Sequence, residues 1–243
     1  RVKGRGIRTA SGTGDLLVSA LTDAGADASG LGRVAAPTSV ALITLTPDGE
    51  NSIIVTAGAN GRVTPDFLAD REHLWRAARL VVMQLEVPLE TVSYLAGRCR
   101  EHGVRFLLNA APAARLGADV LEACDPLVVN QTEAAFLLGG DVPDRELVER
   151  LLGLGPASVV VTLGPAGAIA GTAAGERFVQ PAAVVERVVD TTGAGDAFVG
   201  GLATVLGRGG DLAEGLAHGA RAAAVAVGSS GASASYAGLR DLR

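Results

Sequence analysis

The fifteen residues from Glu186 to Gly200, ERVVDTTGAGDAFVG, set small residues, hydroxyls and carboxylates in an order suited to phosphoryl transfer. Glu186 to Val189 reads as a β-branched strand, Thr192-Gly193-Ala194-Gly195 as a tight turn, and the residues from Asp196 onward as an amphipathic helix. A helix that starts directly after such a turn leaves backbone N–H groups unpaired, and its dipole favours an anion there. Gly193, Ala194 and Gly195 are small enough to let the backbone approach an oxygen closely, and fixed N–H donors need no reorganisation as charge develops. Asp196 would stand beside that anion as a base for the proton of an attacking hydroxyl. The same residues also suit a plain strand-to-helix turn whose aspartate complements the dipole.

Other chemistries are excluded by residue type. A Walker A loop needs a lysine after its second glycine, and the one lysine is Lys3. A dinucleotide fingerprint starting at Gly193 requires a glycine or alanine where Phe198 stands, and one starting at Gly12 meets Leu17. His73, His102 and His218 have no metal or triad spacing. Cys99 and Cys124 form no C-x-x-C pair and read as inert core thiols in a reducing cytosol. A net charge of −5, with no basic block beyond Arg1 to Arg8, points away from nucleic acid and anionic membranes and toward a small-molecule ligand. No apolar run approaches the roughly 20 residues of a membrane span, and no signal peptide opens the chain, so a cytoplasmic protein is expected.

The 243 residues, 48% of them hydrophobic, suit a single domain over 1–243 with one sizeable core. Ser39 to Leu45 and Asn51 to Val55 predict a β-hairpin that reverses at Pro47-Asp48-Gly49. Strand-like runs then alternate with helical stretches: Leu80 to Leu85 with Leu89 to His102, Val104 to Asn109 with Ala113 to Ala123, and Leu127 to Asn130 with Gln131 to Leu138. Ser158 to Leu163 continues this parallel series; Gly167 to Gly171 and Arg177 to Gln180 read as an appended antiparallel pair, and two helices close the chain. Ligands of open parallel sheets bind beyond the carboxyl ends of the strands. Glu86, Asn109, Asn130 with Glu133, Thr162 with Gly164, and Asp190 to Asp196 all fall at such ends, which describes one cleft. Asn130 and Glu133 share a helical face that could support hydrated Mg²⁺ on nucleotide phosphates, or they form a capping box.

Asp190-Thr191-Thr192-Gly193-Ala194-Gly195-Asp196 resembles the signature of the ribokinase family of carbohydrate kinases. Met83 to Glu90, Leu108 to Ala113, Val129 to Ala134 and Val161 to Gly167 resemble family segments in the same order, so the likeness runs from about Gly14 to Ser235. The resemblance implies a three-layer α/β/α sandwich with a mostly parallel sheet. It implies transfer of the γ-phosphoryl group of ATP to the primary hydroxyl of D-ribose or a related sugar. In that reading Asp196 is the base and touches the sugar, Gly193, Ala194 and Gly195 bind the transferring group, and Asn130 lies near the nucleotide phosphates with Glu133 supporting Mg²⁺. Thr162, Gly164 and Gly167 belong to the ATP loop, and Glu86 contacts the sugar with Asn109 close by. Asp190 matches the position that holds potassium together with carbonyls at Thr192, Ala226, Ser229 and Gly231 and a contribution from Ser235; a strand-end aspartate bonded to its own turn is the other reading. Gly58-Ala59-Asn60 matches a family segment after the hairpin, whereas Ala220 stands where the family commonly has an asparagine or histidine touching adenine.

Complete members begin with a strand, a small β lid and a Gly-Gly-x-x-x-Asn segment. Residues 1–13 read as irregular and carry none of these, so the lid region is expected to be missing or incomplete. The family dimerises through the lid, which leaves a homodimer open. Two alternatives stand beside the ribose kinase: a catalytically silent nucleotide-binding or assembly homologue, and a kinase for another sugar or a nucleoside.

Overall fold

The computed structural model describes residues 7–9, 12–45, 51–231 and 235–241, which form two compact units. The first takes the described residues up to Trp75 together with Glu86–Leu95. In it β1 (Ile7–Thr9) pairs in parallel with β2 (Gly32–Val34), and α1 (Gly12–Asp23) follows β1. The stretch expected to be irregular over 1–13 therefore holds a strand and a helix start. A three-residue strand is too short to show alternation, and its partner Gly32 lies far along the chain from Ile7. β3 (Val40–Leu45) and β4 (Asn51–Thr56) form the expected antiparallel pair, while the Pro47-Asp48-Gly49 reversal lies outside the described residues. Gly58 has φ +49°, and a Cβ there would lie 2.5 Å from the Pro37 carbonyl oxygen, so only glycine fits the turn after the hairpin. Thr64 caps α2 (Pro65–Ala69), α3 (Glu72–Trp75) follows, and the buried Trp75 indole donates to the Leu68 carbonyl at 3.0 Å.

The second unit, Arg76–Leu85 and Ala96 onward, carries a six-stranded sheet. β5 (Leu80–Met83) leads through α4 (Leu89–Glu101) to β6 (Arg105–Asn109). Next come α5 (Ala118–Ala123), β7 (Cys124–Asn130), α6 (Gln131–Leu138), α7 (Asp144–Leu152) and β8 (Ser158–Thr162). β5 to β8 are parallel, and β9 (Ala168–Thr172) and β10 (Arg177–Gln180) extend the sheet antiparallel, in the order β10-β9-β8-β7-β6-β5. Val159, Val160 and Val161 are each fully buried, as are Leu107 and Leu108, because helices cover both faces. On one face Leu107, Val128, Val160, Ala168 and Ala170 join a core with Phe198, Val199, Leu202 and Leu206 of α8 (Ala194–Arg208) and Leu212 and Leu216 of α9 (Leu212–Ala226). On the other, Val148 of α7 sits so close to Gly171 that a Cβ there would meet it at 2.7 Å. The expected three-layer α/β/α fold is the one the chain forms.

Two expected elements differ. The helix read over Ala113 to Ala123 spans only Ala118–Ala123, which begins after the extended N-cap Gly117. Glu186 to Val189 is not a strand. The sheet ends at β10, and the N–H groups of Val189 and Asp190 donate instead to the Val227 carbonyl past α9, at 2.8 and 3.3 Å. β-branched residues favour extended backbone, but a ladder also needs a free neighbouring edge.

α8 runs against the strands. A Cβ on Gly207, in its last turn, would meet Leu80, the first residue of β5, at 4.0 Å. At 1.5 Å per residue the 15-residue helix spans about 22 Å, so its first turn lies toward the carboxyl ends of the strands.

Candidate active site

Gly193 makes the turn into α8. Its φ of 79° and ψ of 0° are left-handed, a conformation glycine adopts without steric cost, and no side chain caps the helix. The Thr192 N–H donates to Asp190 Oδ1 at 2.9 Å and the Ala194 N–H to the Thr191 carbonyl at 3.2 Å. Those two donors, expected to be open, are consumed by the turn itself. The N–H groups of Gly193, Gly195 and Asp196 have no partner among the described residues. A Cβ on Gly195 would meet nothing within 4 Å, so space lies in front of this donor set, and the Asp196 side chain is exposed beside it.

The turn is clasped from behind by the segment after α9. Asp190 Oδ2 accepts from the Gly231 N–H at 2.8 Å while Oδ1 holds Thr192, and these bonds keep the Asp190 carboxyl below its usual 3.8. The Ser229 N–H donates to the Ala226 carbonyl and the Ser235 N–H to the Gly231 carbonyl, both at 3.4 Å. Asp190, Thr192, Gly231 and Ser235 are thus joined in one hydrogen-bonded knot, while Ala226 and Ser229 bond to each other in the chain just before it. Tyr236, which packs on Ala197, Ala222 and Ala226, donates its hydroxyl to the Gly193 carbonyl at 3.2 Å. Burial and the neighbouring Asp196 carboxylate push its pKa up to about 12. No local pattern marks Tyr236; its link to the turn crosses more than forty positions, and only the proximity of Ser235, already singled out, hints at it.

The other strand ends are more occupied. Asn130 caps α6: its Oδ1 accepts from the Glu133 N–H and Glu133 Oε2 accepts from the Asn130 N–H, each at 2.8 Å, a complete capping box. Burial raises the Glu133 pKa above 4.5 although the Asn130 bond lowers it, and the second carboxylate oxygen has no partner among the described residues. Thr162 pairs with Asn130 across the β7–β8 ladder and turns its hydroxyl to the Val129 carbonyl at 3.4 Å. Gly164 has φ +56° and open space where a Cβ would be. Gly167 does not: its N–H donates to Gly164, its carbonyl accepts from Leu163, and a Cβ would lie 2.1 Å from the Gln180 carbonyl oxygen. Its glycine serves the turn. Asn109 ends β6 with its amide on the Val128 carbonyl, and Glu86 belongs to the first unit, in the bend after β5.

Beside Asp190 lies a cavity of about 480 Å³ whose lining mixes Val184, Val185, Val189, Ala224 and Val225 with the charged Glu186 and Arg187 and with Gly228 and Ser229. Ala220 is buried in the α8–α9 core. Both cysteines are buried, and burial followed by the Asp125 charge pushes Cys124 up to about 12, which leaves an unreactive thiol. Among the described residues no cluster of three or more His, Cys, Asp or Glu side chains forms, and no helix is long and apolar enough to cross a membrane.

Residues 10–237 match the description pfkB family carbohydrate kinase, slightly beyond the span of the motifs. A ribokinase of Schizosaccharomyces pombe is 37% identical over 212 residues, which take in 84% of this chain and 66% of the relative. A deoxyribokinase of Salmonella typhimurium is 33% identical over 207 residues, 83% of this chain and 67% of that protein. The structure of Arabidopsis thaliana ribokinase complexed with ribose and ATP superposes with a TM-score of 0.88 at 29% identity, over 95% of this chain and 77% of the other. The chain spans about two thirds of the length of the curated relatives it matches. With residues 10–237 matched to the family and a ribokinase 37% identical over 84% of the chain, the chain belongs to the pfkB family of carbohydrate kinases.

Proposed function

We propose that this chain is an ATP-dependent sugar kinase that moves the γ-phosphoryl group to the primary hydroxyl of D-ribose or a related pentose. The observation that carries the reading is the α8 turn, where the N–H groups of Gly193, Gly195 and Asp196 remain free beside an exposed carboxylate. Asp196 accepts the hydroxyl proton as that oxygen bonds to phosphorus and the bond to the leaving ADP oxygen breaks. The three amides and the positive end of α8 meet the negative charge on the phosphoryl oxygens. Gly164 offers backbone to the nucleotide, and the cavity beside Asp190, with valines on one part of its wall and Glu186, Arg187 and Ser229 on another, suits its base. Glu86 is assigned to the sugar by motif alone.

Glu133 keeps one carboxylate oxygen without a protein partner, which fits a role toward water on Mg²⁺, with Asn130 as its neighbour. When bound, Mg²⁺ supplies charge neutralisation on the phosphates. The knot of Asp190, Thr192, Gly231 and Ser235, with Ala226 and Ser229 just before it in the chain, offers an ionised carboxylate among carbonyls and fits a potassium ion. A cytoplasmic location suits this activity.

Phosphorylation of ribose by the purified chain, with loss of about 10²–10⁴-fold in kcat for Asp196→Asn and retained ATP binding, is the expected outcome. ATP binding without turnover of ribose, deoxyribose or a nucleoside by the unaltered chain would instead support a silent nucleotide-binding homologue.

A further inference from the structure

A second cavity, of about 540 Å³, lies between the last turns of α8, the first half of α9 and the end of β10. Gln180, Ala183, Val205, Arg208, Glu214, Ala217, His218 and Arg221 line it, every one within the second unit. Val205 and Arg208 lie nine and twelve positions beyond Asp196, about 14–18 Å along the axis of α8. The cavity therefore opens well down the helix from the phosphoryl-binding turn.

Its charge is unbalanced. Neither Arg208 nor Arg221 has a carboxylate within salt-bridge distance among the described residues, in a chain of net charge −5. Glu214 lines the same cavity but is drawn to the α8–α9 turn, where its Oε2 would lie 2.8 Å from a Cβ on Gly210. Arg208 complements the carbonyl end of α8, and the Arg79 guanidinium donates to its carbonyl at 3.3 Å. Arg221 is in mid-helix, where no dipole accounts for it. Its only described partner is Nδ1 of His218 at 3.1 Å, to which a guanidinium can only donate, so that imidazole is neutral. Burial, then Arg221, then Arg208 lower the His218 pKa. Both guanidiniums thus act on one imidazole, and a dianion held between them would bring a proton back to it.

We propose that this cavity is a second anion site, for a small phosphate-bearing molecule, separate from the phosphoryl-transfer turn. Two guanidinium forks and an imidazole supply more donors than a carboxylate can use and match the three oxygens of a phosphate. Val205, Ala183 and Ala217 give the organic part an apolar wall, and Glu214 and Gln180 accept from its hydroxyls. The volume lies within the usual range for small-molecule sites. The site does not depend on the kinase reading, since none of its residues belongs to the turn.

The test follows the His218 imidazole resonances by NMR, identified by their loss in His218→Gln, while inorganic phosphate or ribose 5-phosphate is titrated in. Binding should shift these resonances and raise the His218 pKa; Arg208, Arg221 and Glu214 are the charged groups that face it, and the first two set the sign. Arg208→Gln and Arg221→Gln, both at exposed positions, should each weaken the phosphate response about tenfold. Tighter binding of ribose 5-phosphate would assign the site to a phosphorylated sugar, and equal binding to free phosphate. In Asp196→Asn protein saturated with ATP the phosphate response should persist. No response to either probe, an equal response in the double arginine variant, or displacement by ATP would each overturn the proposal.

Discussion

Two helices start at the carboxyl edge of the same sheet, and they treat their first N–H groups in opposite ways. α6 closes two of them: Asn130 and Glu133 exchange side-chain and backbone bonds in a box that engages the N–H groups of both. α8 begins instead on a left-handed glycine with no side-chain cap and leaves Gly193, Gly195 and Asp196 open. A capped start stabilises the helix, whereas an uncapped one keeps its donors for something outside the chain. The stability given up at α8 is restored behind it, where Asp190 and Tyr236 hold the turn by its other side. Holding the backbone from the rear keeps the front amides aimed before any ligand arrives, and that preorganisation is what electrostatic catalysis requires.

The sharpest way to break the comparison is to fill the open turn. Gly193→Ala places a Cβ in a left-handed conformation at a cost of about 1–2 kcal/mol and tilts the donors, so turnover should fall about 10²-fold. Gly195→Ala is the complementary probe. Its Cβ meets no protein atom, and alanine favours helix by about 1 kcal/mol, so the melting temperature should rise while turnover drops about tenfold because the methyl stands where the anion docks. Calorimetry beside a coupled kinase assay reads both. If Gly195→Ala raises stability and leaves turnover intact, the turn faces no anion.

At α6 the order of effects should invert. Asn130→Ala removes the cap and should cost about 1 kcal/mol of stability, read as a lower denaturant midpoint. Glu133→Gln keeps a side-chain oxygen for the Asn130 N–H and removes the charge, so stability should change little. A rise of several-fold in the Mg²⁺ concentration for half-maximal rate would then separate metal support from capping alone, since capping predicts no change.

Residue types mark these two starts unequally in the sequence. Gly193, Gly195 and Asp196 are legible because a glycine-rich turn before an amphipathic helix has few uses. Asn130-x-x-Glu133 supports two readings, as caps and metal supports employ the same atoms. The sheet from Leu80 to Gln180 is legible because a buried parallel strand needs a continuous apolar run and a crossover helix. Glu186 to Val189 misleads because its composition is that of a strand while its hydrogen bonds go to Val227, a choice made by tertiary packing. β1 is missed for a similar reason: its three residues acquire a partner only in the folded chain. Gly167, which resembles a nucleotide contact, is a glycine because the backbone after β10 presses on it.

The rear clasp should respond to acid. Bonds from Gly231 and Thr192 hold the Asp190 carboxyl below 3.8, so its contribution is present above that value and is lost as pH falls through the lower folded pKa. The protection of the Gly231 and Thr192 amides against hydrogen exchange should therefore fall as the pH drops from 3.8 through the lower folded pKa, ahead of that of the β7–β8 ladder. In Asp190→Ala, which removes both acceptors, the two amides should already exchange fast at neutral pH. Equal exchange in both proteins would mean that the clasp contributes nothing to the turn.

Tyr236 offers the smallest effect and the finest resolution, because it touches the turn from the rear while standing beside the exposed carboxylate in front. Replacement by phenylalanine keeps the packing on Ala197, Ala222 and Ala226 and removes one neutral hydrogen bond to Gly193, a loss of about 1 kcal/mol. The raised pKa sets the pH window. With a folded value of about 12 against the usual 10, the phenol's contribution is complete below pH 10 and is lost as pH rises from 10 through 12. Phenolate absorbance should therefore show a late phase near pH 12 that Tyr236→Phe lacks, with the stability difference between the two proteins constant below pH 10 and shrinking above it. A phenol that ionises at its ordinary pH would show that neither burial nor the Asp196 carboxylate acts on it, and the rear clasp would then reach Gly193 without touching the base.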